Sequence, residues 1–268
     1  MVNIQNEIYN IWYSVIALFW FWYFWCKDER KAFHLGVFIF LSVFVNEIFL
    51  RFPIQISLSK EAQVTLSSAI LLALWSGKKR AFAVAVLFIA LTSFVLLYCG
   101  YPLEDLIAGW ILGTVIIVLY WKFALCKNLP EIFFAKGGMR VQMICASLVG
   151  FGFNAIGNIH IGGVFLGFSA GYILMKNRFP FSSYINVKGK KRILILGGRF
   201  ALGIAGLVAL VWVFFDTALP ILTDLPLAGE NTRLITFIIY ALLGLWVSTL
   251  SPLLFIRLKL AESSELDA

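Results

Sequence analysis

Charge is scarce in this chain. Asp, Glu, Lys and Arg make up 13% of its 268 residues, against 61% that are hydrophobic, whereas soluble domains carry roughly a quarter charged residues and about half apolar ones. That shortage excludes a water-soluble fold and leaves a bilayer as the solvent. Histidine is almost missing: His34 and His160 are the two present, with no second His or Cys beside either, so no zinc-type ligand set is legible and no cofactor is called for. No repeat of fixed period is visible, and residues 1–7 carry Glu7 but neither Lys nor Arg, so the positive start of a cleavable signal peptide is lacking.

Long apolar runs are abundant. Crossing a hydrocarbon core of about 30 Å takes about 20 mostly apolar residues. Nine stretches qualify or nearly do: 8–26, 32–50, 61–76, 81–99, 105–121, 141–156, 161–175, 193–215 and 234–256. The third, opening on Glu61, Ala62 and Gln63, and the seventh are short. Such polarity is better tolerated in a helix buried among others than in one facing lipid. The expected fold is therefore all-α, a polytopic transmembrane bundle of about nine helices.

The net charge of +8 is a topology signal. Eighteen of the 22 Lys and Arg fall in the connections after spans one, three, five and seven and in the C-terminal tail; three fall on the other side, and Arg199 lies inside span eight. Basic loops stay cytoplasmic, which sets the N-terminus outside, the C-terminus inside, and makes nucleic acid an unexpected partner. In this topology only Cys99 of the four cysteines, Cys26, Cys99, Cys126 and Cys145, lies near the outer face, so no disulfide framework is expected and the four read as small apolar fillers. The run FWFWYFW, Phe19 to Trp25, reads as an interfacial aromatic belt. Gly109 with Gly113, and Gly163, Gly167 and Gly171, recur every four residues and mark close helix contacts.

With orientation set, polar residues gather on the outer side. Glu47 and Arg51 end span two on one helical face, Ser59, Lys60, Glu61 and Gln63 open span three, and Glu104 and Asp105 open span five. Each alone fits a helix cap or first-turn acid. Together they outline a pocket, because ionisable groups in a membrane are costly and usually functional. His34 reads as interfacial, and His160, in the turn NAIGNIHIGG, is also placed on the outer face.

The order of these features resembles the membrane-bound type-2 phosphatidic acid phosphatase family, whose motifs read KxxxxxxRP, PSGH and SRxxxxxHxxxD, the last commonly followed by a stretch like DVLAGWLLG. Here DLIAGWILG, Asp105 to Gly113, matches that stretch. FWCKDERKAFHLGVFIFLSVFVNEIF, Phe24 to Phe49, is similar to the family's YWC segment and following helix, and GGVFLGFSAGYILMKNRF and LLGLWVSTLSPLLFIRLKL are similar to helices that follow the catalytic core in a long bacterial subgroup. The catalytic letters are mostly gone. LSKEAQ, Leu58 to Gln63, takes the PSGHAQ place, with Ser59 kept and Glu61 where the general-acid His belongs. Ser93 matches the Ser of the third motif, but Phe94 replaces the phosphate-binding Arg, and the nucleophilic His position falls on Gly100 counted from Ser93 or Tyr101 counted from Asp105. LRFP, Leu50 to Pro53, is the remnant of the first motif, with Arg51 as its cation.

In the family a His attacks phosphorus, an Asp orients it, a second His protonates the leaving oxygen, and cations neutralise the developing charge. The resemblance therefore implies a phosphatase-like six-helix core over 1–175, a C-terminal transmembrane extension over 176–268, and a bacterial plasma (inner) membrane. It implies no catalytic residue here. The expected function is that of a non-catalytic relative that binds an anionic lipid, such as a lipid phosphate, or supports a membrane-protein partner, with Arg51, Ser59, Lys60, Glu61 and Asp105 as the binding residues. Two alternatives are an active phosphatase with a rearranged site using His160 or an acid, and transport of a cation or lipid, for which Glu47, Glu61, Glu104 and Asp105 would supply hard oxygen ligands.

Overall fold

The computed structural model describes residues 2–49, 51, 58–122, 137–179, 181–185, 187–218 and 228–261. Leu50, Phe52 and Pro53 of LRFP, Cys126, most of the basic connection after span five, and the polar tail from residue 262 lie outside them. The described residues form nine helical rods in chain order: α1 Val2–Cys26, α2 Glu29–Phe49, α3 Lys60–Ser76, α4 Lys79–Tyr98, α5 Leu103–Tyr120, α6 Met139–Ala155, α7 Ile159–Arg178, α8 Lys190–Val211 and α9 Ala228–Leu245. A π-helical segment, Trp212–Ala218, prolongs α8; a π-helical turn, Trp246–Leu250, and a last helical stretch, Ser251–Arg257, prolong α9. Six of the rods are long and apolar enough to cross a membrane: α2, α4, α5, α7, and α8 and α9 with their continuations.

The seventh span is longer than its apolar stretch, 20 residues rather than a short segment, because the helix runs on through Ile159 and His160 at one end and Lys176 to Arg178 at the other. Backbone hydrogen bonding does not stop where apolarity stops, and terminal basic side chains reach back to the interface. The short rods are α3 and α6, each of 17 residues.

The chain packs as two compact units, one of Met1–Phe19 with His34–Phe133, the other of Trp20–Phe33 with Phe134–Ala268. These packing units cut across the division at residue 175 drawn from the resemblance, which concerns descent and not compactness.

In the first unit α3 is the inner helix. Its polar positions Glu61, Gln63, Thr65 and Ser67 are buried along with Ala62, Ala69, Leu71 and Ala73. Ser59 caps it, its hydroxyl accepting the Ala62 amide, and Gly77 ends it in the left-handed region. The glycines of α5 let that helix close on α3: a Cβ at Gly109 would collide with the Ser59 carbonyl oxygen, and one at Gly113 would stand 2.8 Å from that of Gln63. The outer faces of α4 and α5, with Val84, Leu87, Phe94, Ile111 and Val115, are left exposed, as lipid-facing helices require.

In the second unit α7 is central. Its Gly163 and Gly167 face the backbone of α9 at Phe237 and Ala241, and Gly171 abuts Ser248 and Thr249, so the glycine stripe is a helix-packing face. Phe168 receives the rings of Trp20 at 4.8 Å and Phe24 at 5.5 Å. The aromatic run at the end of α1 is therefore not a belt as a whole: Phe19 and Trp22 are exposed, but Phe24 and Trp25 have no exposed surface and belong to this core. The π-helical turn of α9 precedes Pro252, which has no N–H to donate. The Ser251 amide bonds the Trp246 carbonyl instead of that of Val247. The Val247 carbonyl accepts the Trp25 indole N–H at 2.9 Å and the Ser251 hydroxyl at 3.2 Å.

Candidate functional site

The candidate site is the end of the first unit where α2 finishes and α3 and α5 begin. It starts from backbone. The Ser59 amide donates to the Asp105 carbonyl at 3.1 Å, and the Ser59 carbonyl accepts the Gln63 amide at 3.1 Å. The backbone of one residue thus closes the first turn of α3 and ties it to the first turn of α5. The Ser59 hydroxyl, almost fully buried, accepts the Ala62 amide and donates to Glu61 Oε2, both at 3.2 Å. Its proton is thereby aimed at a buried carboxylate within the same turn.

The second link is ionic. Lys60 Nζ pairs with Glu47 Oε1 at 2.9 Å, joining the start of α3 to the end of α2 with both groups partly exposed. Arg51 sits exposed in the turn that follows α2, its amide bonded to the Ile48 carbonyl at 3.0 Å. Asp105 is half-buried and Glu104 exposed in the first turn of α5. The structure therefore joins Ser59, Lys60, Glu61 and Asp105 through α3 and its contacts, links Lys60 to Glu47, and places Arg51 in the turn after α2.

Beneath this layer lies a polar network that sequence reasoning missed. Asn46 donates through Nδ2 to Gln63 Oε1 at 2.5 Å, and Gln63 Nε2 donates to the Ser42 carbonyl at 2.8 Å and hydroxyl at 2.9 Å. Ser67 returns its hydroxyl proton to the Gln63 carbonyl at 2.8 Å. Ser42, Asn46, Gln63 and Ser67 are all fully buried, and a buried polar group must find such partners. The signal was present as two i,i+4 polar pairs, Ser42 with Asn46 and Gln63 with Ser67.

The turn between α4 and α5 decides the chemistry. Gly100 has φ +87°, and the Gly100 amide bonds the Leu97 carbonyl while the Tyr101 amide bonds that of Leu96. This is a Schellman stop, in which a left-handed residue ends the helix and the next residue covers it with an apolar contact. Tyr101 supplies that contact, packing on Ala62, Leu96 and Leu106. Both positions where the resemblance would put a nucleophilic imidazole are thus used to terminate α4. Ser93 bonds its own helix at the Ile89 carbonyl, 2.7 Å, and Phe94, in the place of the phosphate-binding Arg, is 69% exposed on the outer face of α4.

His34 stands in the early turns of α2, thirteen residues before Glu47, about 20 Å away along the axis at 1.5 Å per residue. His160 belongs to the second unit, where its ring lies 4.6 Å from that of Tyr240. Among the described residues no three His, Cys, Asp or Glu side chains converge as a metal cradle. Of the acidic set that the transport alternative would use, Glu47 is paired with Lys60 and Glu61 is bonded to Ser59.

Residues 159–263, from the start of α7 through the last helical stretch, match the family described as PAP2 superfamily phosphatase, transmembrane extension. No curated protein and no solved structure matches the chain.

Proposed function

We propose that this chain, whose residues 159–263 match a PAP2 superfamily phosphatase transmembrane extension, is a non-hydrolysing member of that superfamily that holds a lipid phosphate head group where α2, α3 and α5 meet. The observation that carries this reading is the commitment of Gly100 and Tyr101 to a helix stop. A phosphohistidine cannot form without an imidazole, and a side chain at φ +87° would be strained before any chemistry began.

Binding calls on less than catalysis does. A phosphate needs cations and donors, with no requirement for in-line attack. Arg51, exposed in the turn after α2, and Lys60 supply the charge in this reading, while Glu61 and Asp105, through Ser59, hold the helix ends in place. Glu61, as a carboxylate, repels phosphate, so the head group sits on the Arg51 and Lys60 side and competes with Glu47 for Lys60. The orientation we propose, with the N-terminus outside and the C-terminus in the cytoplasm of a bacterial inner membrane, rests on the asymmetry of Lys and Arg between loops.

The test uses the full chain reconstituted in vesicles containing phosphatidic acid. Phosphate release is expected at the level of empty vesicles. Binding of phosphatidic acid is expected to weaken several-fold in Arg51→Gln and to strengthen in Glu47→Gln, which frees Lys60. Release that Asp105→Ala abolishes would overturn the reading, as would binding that neither substitution changes.

A further inference from the structure

We propose that a water molecule is bound inside the first unit between Ser42 and Asn46 of α2, accepting the serine hydroxyl proton and donating to Asn46 Oδ1. One backbone atom sets the site. The Ser42 carbonyl can only accept, so Gln63 turns Nε2 toward it, and that bond is 2.8 Å long. Gln63 Oε1 is then the end left for Asn46, which presents Nδ2 to it. Exchanging the two ends of the Asn46 amide would set acceptor against acceptor, so the position of its oxygen is fixed in turn. That oxygen is buried and has no hydrogen-bond partner among the described residues, in a side chain with no exposed surface. A buried acceptor left in that state is costly and calls for a donor.

A complementary group stands one turn away. The Ser42 hydroxyl, equally buried, accepts Gln63 Nε2 at 2.9 Å, and among the described residues its own proton meets no acceptor. Residues four apart in a helix share a face, with Cβ atoms about 5–6 Å apart. Ser42 and Asn46 are therefore neighbours, yet they form no direct bond. A water making two bonds of about 2.8 Å each spans a gap of up to about 5.5 Å. It donates and accepts at once, which is what this pair lacks.

The surroundings select a neutral occupant. Ser42, Asn46, Gln63 and Ser67 carry no charge, and the nearest acid in sequence, Glu47, is paired with Lys60. A cation here would face the Ser42 proton with no carboxylate in the network to offset the cost of leaving water. With a water in place every member of the network has a partner, and α2 and α3 are locked in one rotation through Gln63. This site is separate from the head-group reading, since the water is held whether or not a phosphate engages Lys60.

The experiment is a crystal structure of the full chain grown from a lipidic mesophase, at a resolution where ordered waters are seen. Density for one water is expected at hydrogen-bond distance from both Ser42 Oγ and Asn46 Oδ1. It is expected to vanish in Ser42→Ala and to persist in Ser67→Ala, whose lost hydroxyl bonds the Gln63 and Val64 carbonyls. The parent map decides the matter even if a variant fails to fold. A map that shows other ordered waters but none here would overturn the proposal, as would a direct bond between Ser42 and Asn46 or a water that survives Ser42→Ala. Loss of the water from Ser67→Ala would mean that Ser42 and Asn46 do not suffice to hold it, and overturns the assignment as well. Density with several oxygen contacts of about 2.4 Å would be a metal cation, with the same result.

Discussion

The amide of Ser59 donates to the carbonyl of Asp105 at 3.1 Å, so the N-terminal ends of α3 and α5 are fixed to each other by backbone alone. Helices joined at one end still diverge unless their surfaces let them run together. Here the surface of α5 offers glycine at two successive turns, Gly109 beneath Ser59 and Gly113 beneath Gln63. The polar ends of the helices and the small-residue face below them are parts of one contact.

Gly109→Ala tests that contact. The new methyl would meet a carbonyl oxygen that is itself bonded to the Gln63 amide, and a backbone atom cannot swing aside as a side chain can. We expect α5 to retreat, with a loss of about 1–3 kcal/mol as for other overpacked sites. Gly113→Ala, where the nearest oxygen is 2.8 Å from the added carbon, should cost less. Thermal unfolding in detergent measures both, and a Gly109→Ala protein as stable as the parent would mean that α3 and α5 do not touch this closely.

Much of this is legible in the sequence. Apolar length alone located the rods, and the four-residue spacing of Gly109 with Gly113 and of Gly163, Gly167 and Gly171 named the faces where backbones meet. The convergence of Glu47, Ser59, Lys60, Glu61 and Asp105 followed from short connections between helices. Hydropathy carries no rotation, however, and what depended on it was hidden. The Asn46 to Gln63 bond needs α2 and α3 turned toward each other in one register. Phe24 and Trp25 read as interfacial because an aromatic run at a helix end looks the same whether lipid or another helix covers it. The ends of α7 read as loop because His160 and Lys176 are polar, although a helix needs only its backbone bonds to continue.

Gly100→His tests whether the lost nucleophile is a single missing letter. A histidine in the left-handed turn is expected to cost about 1–3 kcal/mol of stability, because the Schellman stop needs a residue that tolerates φ +87°. Phosphate release from phosphatidic acid is expected to stay at background. The surrounding positions are set against turnover: Glu61 is buried and bonded to Ser59, and Phe94 points away from the packed interior of its unit. Release above background from this one substitution would mean that those positions already suit the reaction.

Arg199 gives the last prediction, in the second unit. Its guanidinium has no exposed surface. Nε donates to the Leu260 carbonyl at 2.9 Å, and Nη1 donates to the carbonyls of Trp25 at 3.2 Å and Ser183 at 2.9 Å. The Phe181 ring lies 5.4 Å from the guanidinium carbon. One side chain thus holds the end of α1, the loop after α7 and the turn after the last helical stretch, which explains why a cation is tolerated inside the eighth apolar run. A fork is essential to this, since an ammonium is a compact point charge that cannot spread its donors over the same span. We expect Arg199→Lys to keep the charge yet lose about 3 kcal/mol, the order of one or two charge-assisted bonds left unmade in a buried place. Hydrogen exchange read by mass spectrometry should show the loss first in Trp246 to Leu260, the segment whose end the fork holds. A variant in which those amides stay as protected as in the parent would mean that Trp25 and Phe255, packed at 6.0 Å, hold that end without the arginine.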